Sequence, residues 1–136
     1  MGAPDDFLYE YAIVRYVPRI DRHEFVNIGL IMMCKRRKWM KGRLLFDRGR
    51  LTAFDPRVDI ERLRAQASVF ERDDAPASDL PTEEKYRWLA AVKSAVLQVS
   101  PSHPGMLCGV EEVSAEEGRA LLQKEFDRLF DELVAV

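Results

Sequence analysis

From residue 24 to Cys34 the chain reads EFVNIGLIMMC, with no charged or amide side chain after Asn27. A strand with one wet face alternates apolar and polar residues, so an unbroken apolar run describes a strand covered on both faces and central in its sheet. At seven residues, the stretch from Ile28 to Cys34 is far too short for a bilayer-spanning helix. A chain of 136 residues that is 47% apolar and 32% charged has room for one domain with a real core and excludes a disordered or collagen-like polymer.

The neighbouring segments read as partners for that strand. Residues 7–17 (FLYEYAIVRYV) are dense in aromatic and β-branched side chains, placing Tyr9, Tyr11, Ile13, Arg15 and Val17 on one face of an extended chain. Pro18 ends this strand because it lacks the backbone donor of a continuing ladder. Residues 18–23 form a loop, residues 35–38 a basic turn, and residues 39–46 (WMKGRLLF) a third strand in which Gly42 marks a bulge or a close contact.

Helical signals follow. Asp55 and Pro56 suggest a cap and first-turn proline for a helix presenting Ile60, Leu63, Ala67 and Phe70. Residues 72–81 read as a surface loop, and Thr82, Glu83 and Glu84 open a helix continuing through Tyr86, Leu89, Val92 and Val96. Residues 100–109 read as an ordered loop or short irregular strand. Ser114 and Glu117 have capping-box spacing ahead of Leu122, Phe126, Leu129 and Leu133. The expected fold is therefore α+β: one domain over residues 1–136, a three-stranded antiparallel meander with room for a fourth short strand near residues 106–113, and about three covering helices.

Charge is segregated although the net charge is only −2. Residues 15–50 hold eleven Lys and Arg against three acids, and residues 111–132 hold eight acids against three bases. Lys35, Arg36, Arg37, Lys38, Lys41 and Arg43, with Trp39 among them, form a candidate basic surface for a phosphate backbone. The same residues at a hairpin tip and sheet edge also protect against aggregation, with Trp39 in the core. Residues 1–6 lack the basic start of a secretory or transit peptide, so a cytoplasmic protein with reduced, buried cysteines is expected.

Two polar groups are candidate sites. Around the first turn, Arg15, Arg19, Arg22, His23, Glu24 and Asn27 offer guanidinium forks, an imidazole and an amide suited to a phosphate or carboxylate. Register decides their roles. If Val17 opposes Glu24, Arg15 shares a face with Glu24 and a structural ion pair results; a one-residue slip brings Arg15 beside Asn27. The second group is Ser100 and His103, which suggest nucleophilic chemistry only with an orienting third group, and otherwise a rigid loop between Pro101 and Pro104. The two histidines and two cysteines have no familiar metal-ligand spacing, and no dinucleotide or phosphate-loop fingerprint occurs, so neither metal nor cofactor is expected.

The run YAIVRYVPRIDRHEFVNIGLI over residues 11–31 resembles the opening block of a bacterial family known as domain of unknown function 3037. SPSHPG at residues 100–105 and the closing pattern of Glu125, Leu129, Phe130, Leu133 and Val134 extend the resemblance to nearly the whole chain. It implies a small cytoplasmic bacterial protein without assigning a reaction. The family pattern emphasises Arg15, Tyr16, Arg22, Glu24, Asn27 and Gly29, then Ser100, His103 and Gly105. Similar members are often encoded beside a HipA-like kinase-related protein, which implies an accessory partnership. On this resemblance, Ser100 and His103 are expected to approach the first hairpin and complete a polar pocket with Arg22 and Asn27, suited to an anionic ligand or acidic peptide. The functional expectation is a noncatalytic binding or accessory protein. The alternatives are an enzyme acting on a phosphorylated or nucleotide substrate through His103 or His23, and a nucleic-acid-binding module using the basic hairpin.

Overall fold

The computed structural model describes residues 7–71, 79–107 and 113–135. The apolar run forms β2 (Val26–Cys34), flanked by β1 (Leu8–Tyr16) and β3 (Trp39–Leu44) in the expected antiparallel meander. The sheet is wider than three strands. The far edge of β1 is shared by β4 (Leu97–Val99), which pairs with Val14–Tyr16, and β5 (His103–Met106), which pairs with Leu8–Tyr11. With β1 and β2 both interior, the domain is α+β with an antiparallel sheet.

Each face of the sheet carries its own core. Ala12, Val14, Ile31 and Met33 face Leu51 of α1 (Arg48–Phe54), Ile60, Leu63 and Ala67 of α2 (Ile60–Ala67), and Tyr86 and Leu89 of α3 (Thr82–Ala90). Tyr9, Leu30, Met32 and Cys34 face Leu122, Phe126, Leu129 and Phe130 of α4 (Ala115–Leu133). Tyr11, Ile13 and Trp39 pack on the α4 side, as strand alternation requires. Burial of β2 on both faces is thus met by helices from the middle of the chain on one side and by the last helix on the other.

A β-bulge interrupts the alternation. Val14 opposes Gly29 while Arg15 opposes Asn27, so Ile28 is the additional residue. Ile28 and Gly29 consequently lie toward the same side, where a Cβ on Gly29 would crowd Leu44 Cδ2 at 2.6 Å and the Arg43 carbonyl oxygen at 3.0 Å. Gly42 marks a close contact, since a Cβ there would come within 2.0 Å of the Phe70 carbonyl oxygen.

Several boundaries differ from the sequence expectation. Asp55 and Pro56 do not start a helix. Asp47 caps α1, accepting from the Arg50 amide at 3.0 Å, and Asp59 caps α2 in the same way through Arg62. Asp55 instead closes α1 and accepts from the Arg57 amide in a local turn. The apolar spacing continues past α3, but the helix stops at Ala90, and the Ser94 hydroxyl accepts from the Val96 and Leu97 amides to turn the chain into β4. Val92 and Val96 are therefore not helical. Ser114 accepts from the Glu117 amide at 3.1 Å as the cap of α4. β5 lies within the segment 100–109 read as an ordered loop or short irregular strand and meets the strand expected near residues 106–113 only at Met106; residues 108–112, with Cys108, and most of the 72–81 loop lie outside the described residues.

In β5, hydrogen-bonded pairing alternates, and the Leu107 amide bonds the Phe7 carbonyl. Pro104, opposite Glu10, therefore occupies an outward-facing position, where its missing N–H costs the ladder nothing. Among the described residues, no helix is long and apolar enough to cross a membrane.

Candidate functional site

The end of β1 next to β2 gathers most of the polar candidates. β1 finishes at Tyr16, whose phenol donates to Asp55 Oδ2 at 2.6 Å; burial first, then this bond, holds the phenol above its ordinary ionisation range. After Pro18, a 3-10 turn (Ile20–Arg22) ends at His23 in the left-handed region, with φ 56°. The turn is stapled locally: Arg19 pairs with Asp21 at 2.6 Å and Arg22 with Glu24 at 2.9 Å, all four side chains being well exposed. Such exposed pairs stabilise little but hold the loop's shape.

The ladder selects the second of the two registers. Arg15 stands opposite Asn27, and Glu24 is taken by Arg22, so the Arg15–Glu24 ion pair does not form. The physical reason is the bulge, which shifts β2 by one residue against β1. Arg15 instead lies over the Phe25 ring, 4.2 Å from its centroid. Asn27 donates from Nδ2 to the Leu133 carbonyl at 3.0 Å, and Arg50 donates to the Val134 carbonyl at 2.7 Å. These two side chains satisfy carbonyls that the end of α4 leaves without helical partners. The Nε atom of Arg15 and the Oδ1 atom of Asn27 are buried without a hydrogen-bond partner.

Two apolar side chains flank the turn, Ile20 at 55% and Phe25 at 45% exposure. Beneath it, Pro18, Arg19, Arg22, Glu24, Phe54 and Asp55 line part of a cavity of about 200 Å³. Neither Phe25 nor Ile20 belongs to the polar groups that the sequence singles out; the signals for them are an aromatic residue just ahead of the apolar strand and a lone large apolar residue inside a charged turn.

Ser100 and His103 lie elsewhere. The Ser100 hydroxyl accepts from the Ile13 amide at 2.9 Å and donates to the Pro101 carbonyl at 2.9 Å, while its own amide bonds the Ile13 carbonyl. It substitutes for a backbone acceptor where the chain leaves the ladder. The exposed His103 pairs with Tyr11, their rings 5.4 Å apart, and Gly105 lies under Tyr9, where any Cβ would collide with the phenol ring. Tyr11 and Arg15 are four residue steps apart along β1, roughly 13 Å, and β5 lies on the opposite edge of β1 from β2. The expected single pocket is therefore divided: Arg15, Arg22, Glu24 and Asn27 belong to one end, and Ser100 and His103 are not brought to Arg22 and Asn27.

The basic hairpin is partly absorbed by the fold. Arg43 pairs with Asp127 at 3.0 Å above the Phe126 and Phe130 rings, and Lys35 pairs with Glu83 at 3.1 Å. Arg37 stacks on Phe7 against Gly118, while Trp39 meets Phe126 edge-on. Lys38 and Lys41 remain exposed. Part of the charge segregation is thus a contact between β3 and α4. Among the described residues no cluster of three or more His, Cys, Asp or Glu is arranged to hold a metal.

A family model described as "Protein of unknown function (DUF3037)" matches residues 11–134, nearly the whole chain. The chain belongs to this family. No curated protein and no solved structure matches it significantly.

Proposed function

For this member of the family, we propose a noncatalytic binding or accessory role in which the β1–β2 turn contacts a protein partner. The observation carrying this reading is the exposure of Ile20 and Phe25 on a turn bearing Arg19 and Arg22. Arginine and aromatic side chains around an apolar centre are the composition that supplies most binding energy at protein interfaces. The Tyr16–Asp55 hydrogen bond anchors the strand end that leads into this turn, and the local pairs Arg19–Asp21 and Arg22–Glu24 bias its shape, which lowers the ordering entropy of docking. A serine nucleophile is disfavoured by the engagement of the Ser100 hydroxyl in the ladder, and the nucleic-acid reading by the packing of Arg37, Trp39 and Arg43 against the fold.

The family resemblance makes a HipA-like kinase-related protein the first partner to test. Calorimetric titration of that protein into the full chain should give saturable binding. Ile20→Glu and Phe25→Glu should each weaken it by at least about ten-fold, equivalent to 1.4 kcal/mol, with His103→Ala unchanged. Absence of wild-type binding would overturn the partnership. Binding lost in a Lys38→Glu/Lys41→Glu variant but kept in Ile20→Glu and Phe25→Glu would move the contact to the basic hairpin.

A further inference from the structure

We propose that the cavity bounded by the start of β1, the end of β2, β5 and the first turn of α3 binds an amphiphilic carboxylate, an anionic head on an alkyl body. It lies at the opposite end of β1 from the turn assigned to the partner and does not depend on that reading.

The cavity holds about 350 Å³, within the range of about 300–1,000 Å³ typical of small-molecule sites. Leu8, Met33 and Pro104 supply its apolar lining. Strand alternation puts Leu8 and Glu10 on the same side as Ala12, the side covered by α3, and the β1–β5 register sets Met106 opposite Leu8 and Pro104 opposite Glu10. Side chains directly opposed in an antiparallel pair share a face, so Leu8 and Met106 adjoin. They are 47% and 44% exposed. Single apolar side chains scattered over a surface are ordinary, but an opposed pair leading into a cavity is a reachable apolar patch. Methionine at its margin adapts its shape to an alkyl chain.

The head group follows from the charges. Arg87 donates to both carboxylate oxygens of Glu10, which neutralises that acid. Among the lining residues, Lys35 and Arg36 then stand against Glu83, leaving an excess of positive charge where the basic β2–β3 turn begins. Lys35 pairs with Glu83 at 3.1 Å, the side chains being 69% and 38% exposed. An ion pair so open to water holds little energy and yields to a competing carboxylate. A neutral alkyl chain would make no use of the cations, and a compact phosphate would leave the apolar lining uncovered. A molecule with one negative end and an apolar body satisfies both.

The test is an NMR titration of the full chain, methyl-labelled at leucine and methionine, with sodium octanoate below its micelle concentration. The Leu8 and Met106 methyl signals should shift saturably, while Met32, buried on the α4 side, stays in place. Octanol should bind at least about three-fold more weakly, and octylammonium more weakly still. Lys35→Gln should weaken octanoate by a similar factor, Glu83→Gln should strengthen it by removing the competing acid, and Leu8→Gln should weaken it at least about five-fold. Should Leu8→Gln not fold, the opposite signs expected of Lys35→Gln and Glu83→Gln carry the comparison. Ile20→Glu, at the far end of β1, should leave octanoate binding unchanged, so this site and the partner contact fail or succeed separately. Octanol or octylammonium binding as tightly as octanoate, equal affinity in all the cavity variants, or no saturable shift would each overturn the proposal. So would retention on phosphatidylglycerol vesicles with Leu8 unmoved by octanoate, which would make this face a membrane contact.

Discussion

The phenol of Tyr9 donates to Glu125 Oε2 at 2.5 Å, joining the first strand to the last helix across 116 positions of the chain. Glu125 also accepts from Arg128 at 2.7 Å, and this guanidinium is the main reason its carboxyl titrates below the ordinary 4.5; burial opposes the shift and the Tyr9 bond adds to it. Because the folded-state value is depressed, the associated stability is complete above pH 4.5 and is lost as pH falls through the folded-state value. Glu125→Gln should flatten the acid limb of a denaturant-stability profile below pH 4.5, and Tyr9→Phe should cost about 1.5 kcal/mol at neutral pH. An acid limb identical in wild type and Glu125→Gln would refute this assignment.

Tyrosine ionisation provides an alkaline counterpart. Burial, followed by acceptance of their protons by Glu125 and Asp55, holds Tyr9 and Tyr16 above the normal phenol range, and burial pushes Tyr86 up to about 12. These raised values contribute stability that is complete below pH 10.0 and lost as pH rises through the folded-state values. Ultraviolet titration of the folded chain should show the three phenols un-ionised at pH 10.0 and released on unfolding in urea. Ordinary titration of all three in the folded chain would contradict it.

Gly42 should be intolerant of any side chain. The colliding atom is the Phe70 carbonyl oxygen, backbone that cannot rotate aside, so Gly42→Ala requires the chain after α2 to move off β3. A loss of at least about 1–3 kcal/mol is expected in urea unfolding. A cost under about 0.5 kcal/mol would show that the chain there yields freely.

Ser100→Ala separates a structural serine from a catalytic one. Removing the hydroxyl leaves the Ile13 amide without its acceptor inside the sheet, at a cost of about 1–3 kcal/mol. The variant should melt earlier yet bind the partner like wild type at temperatures where both are folded. Unchanged stability would count against the ladder role.

The meander, the doubly covered β2 and the cap of α4 were legible because each rests on local chemistry: an apolar run, a basic turn, and a serine three residues ahead of a glutamate. The bulge at Ile28 was not, since an all-apolar run hides the alternation that a bulge breaks, and with it went the choice between Glu24 and Asn27 as neighbour of Arg15. The extra strand β4 is three residues long and is set by Ser94 and by pairing to a strand some eighty positions earlier, which no short window records. For the candidate site, the residue types were visible, but their division between the two edges of β1 depended on those distant pairings.

The proline of β5 has a bearing on how copies of this chain meet. An incoming strand seeking to extend the sheet past β5 would find no amide to receive at Pro104, a gap in the row that templates strand addition. One cyclic residue thereby makes that stretch of the border a poor template for growth by strand addition.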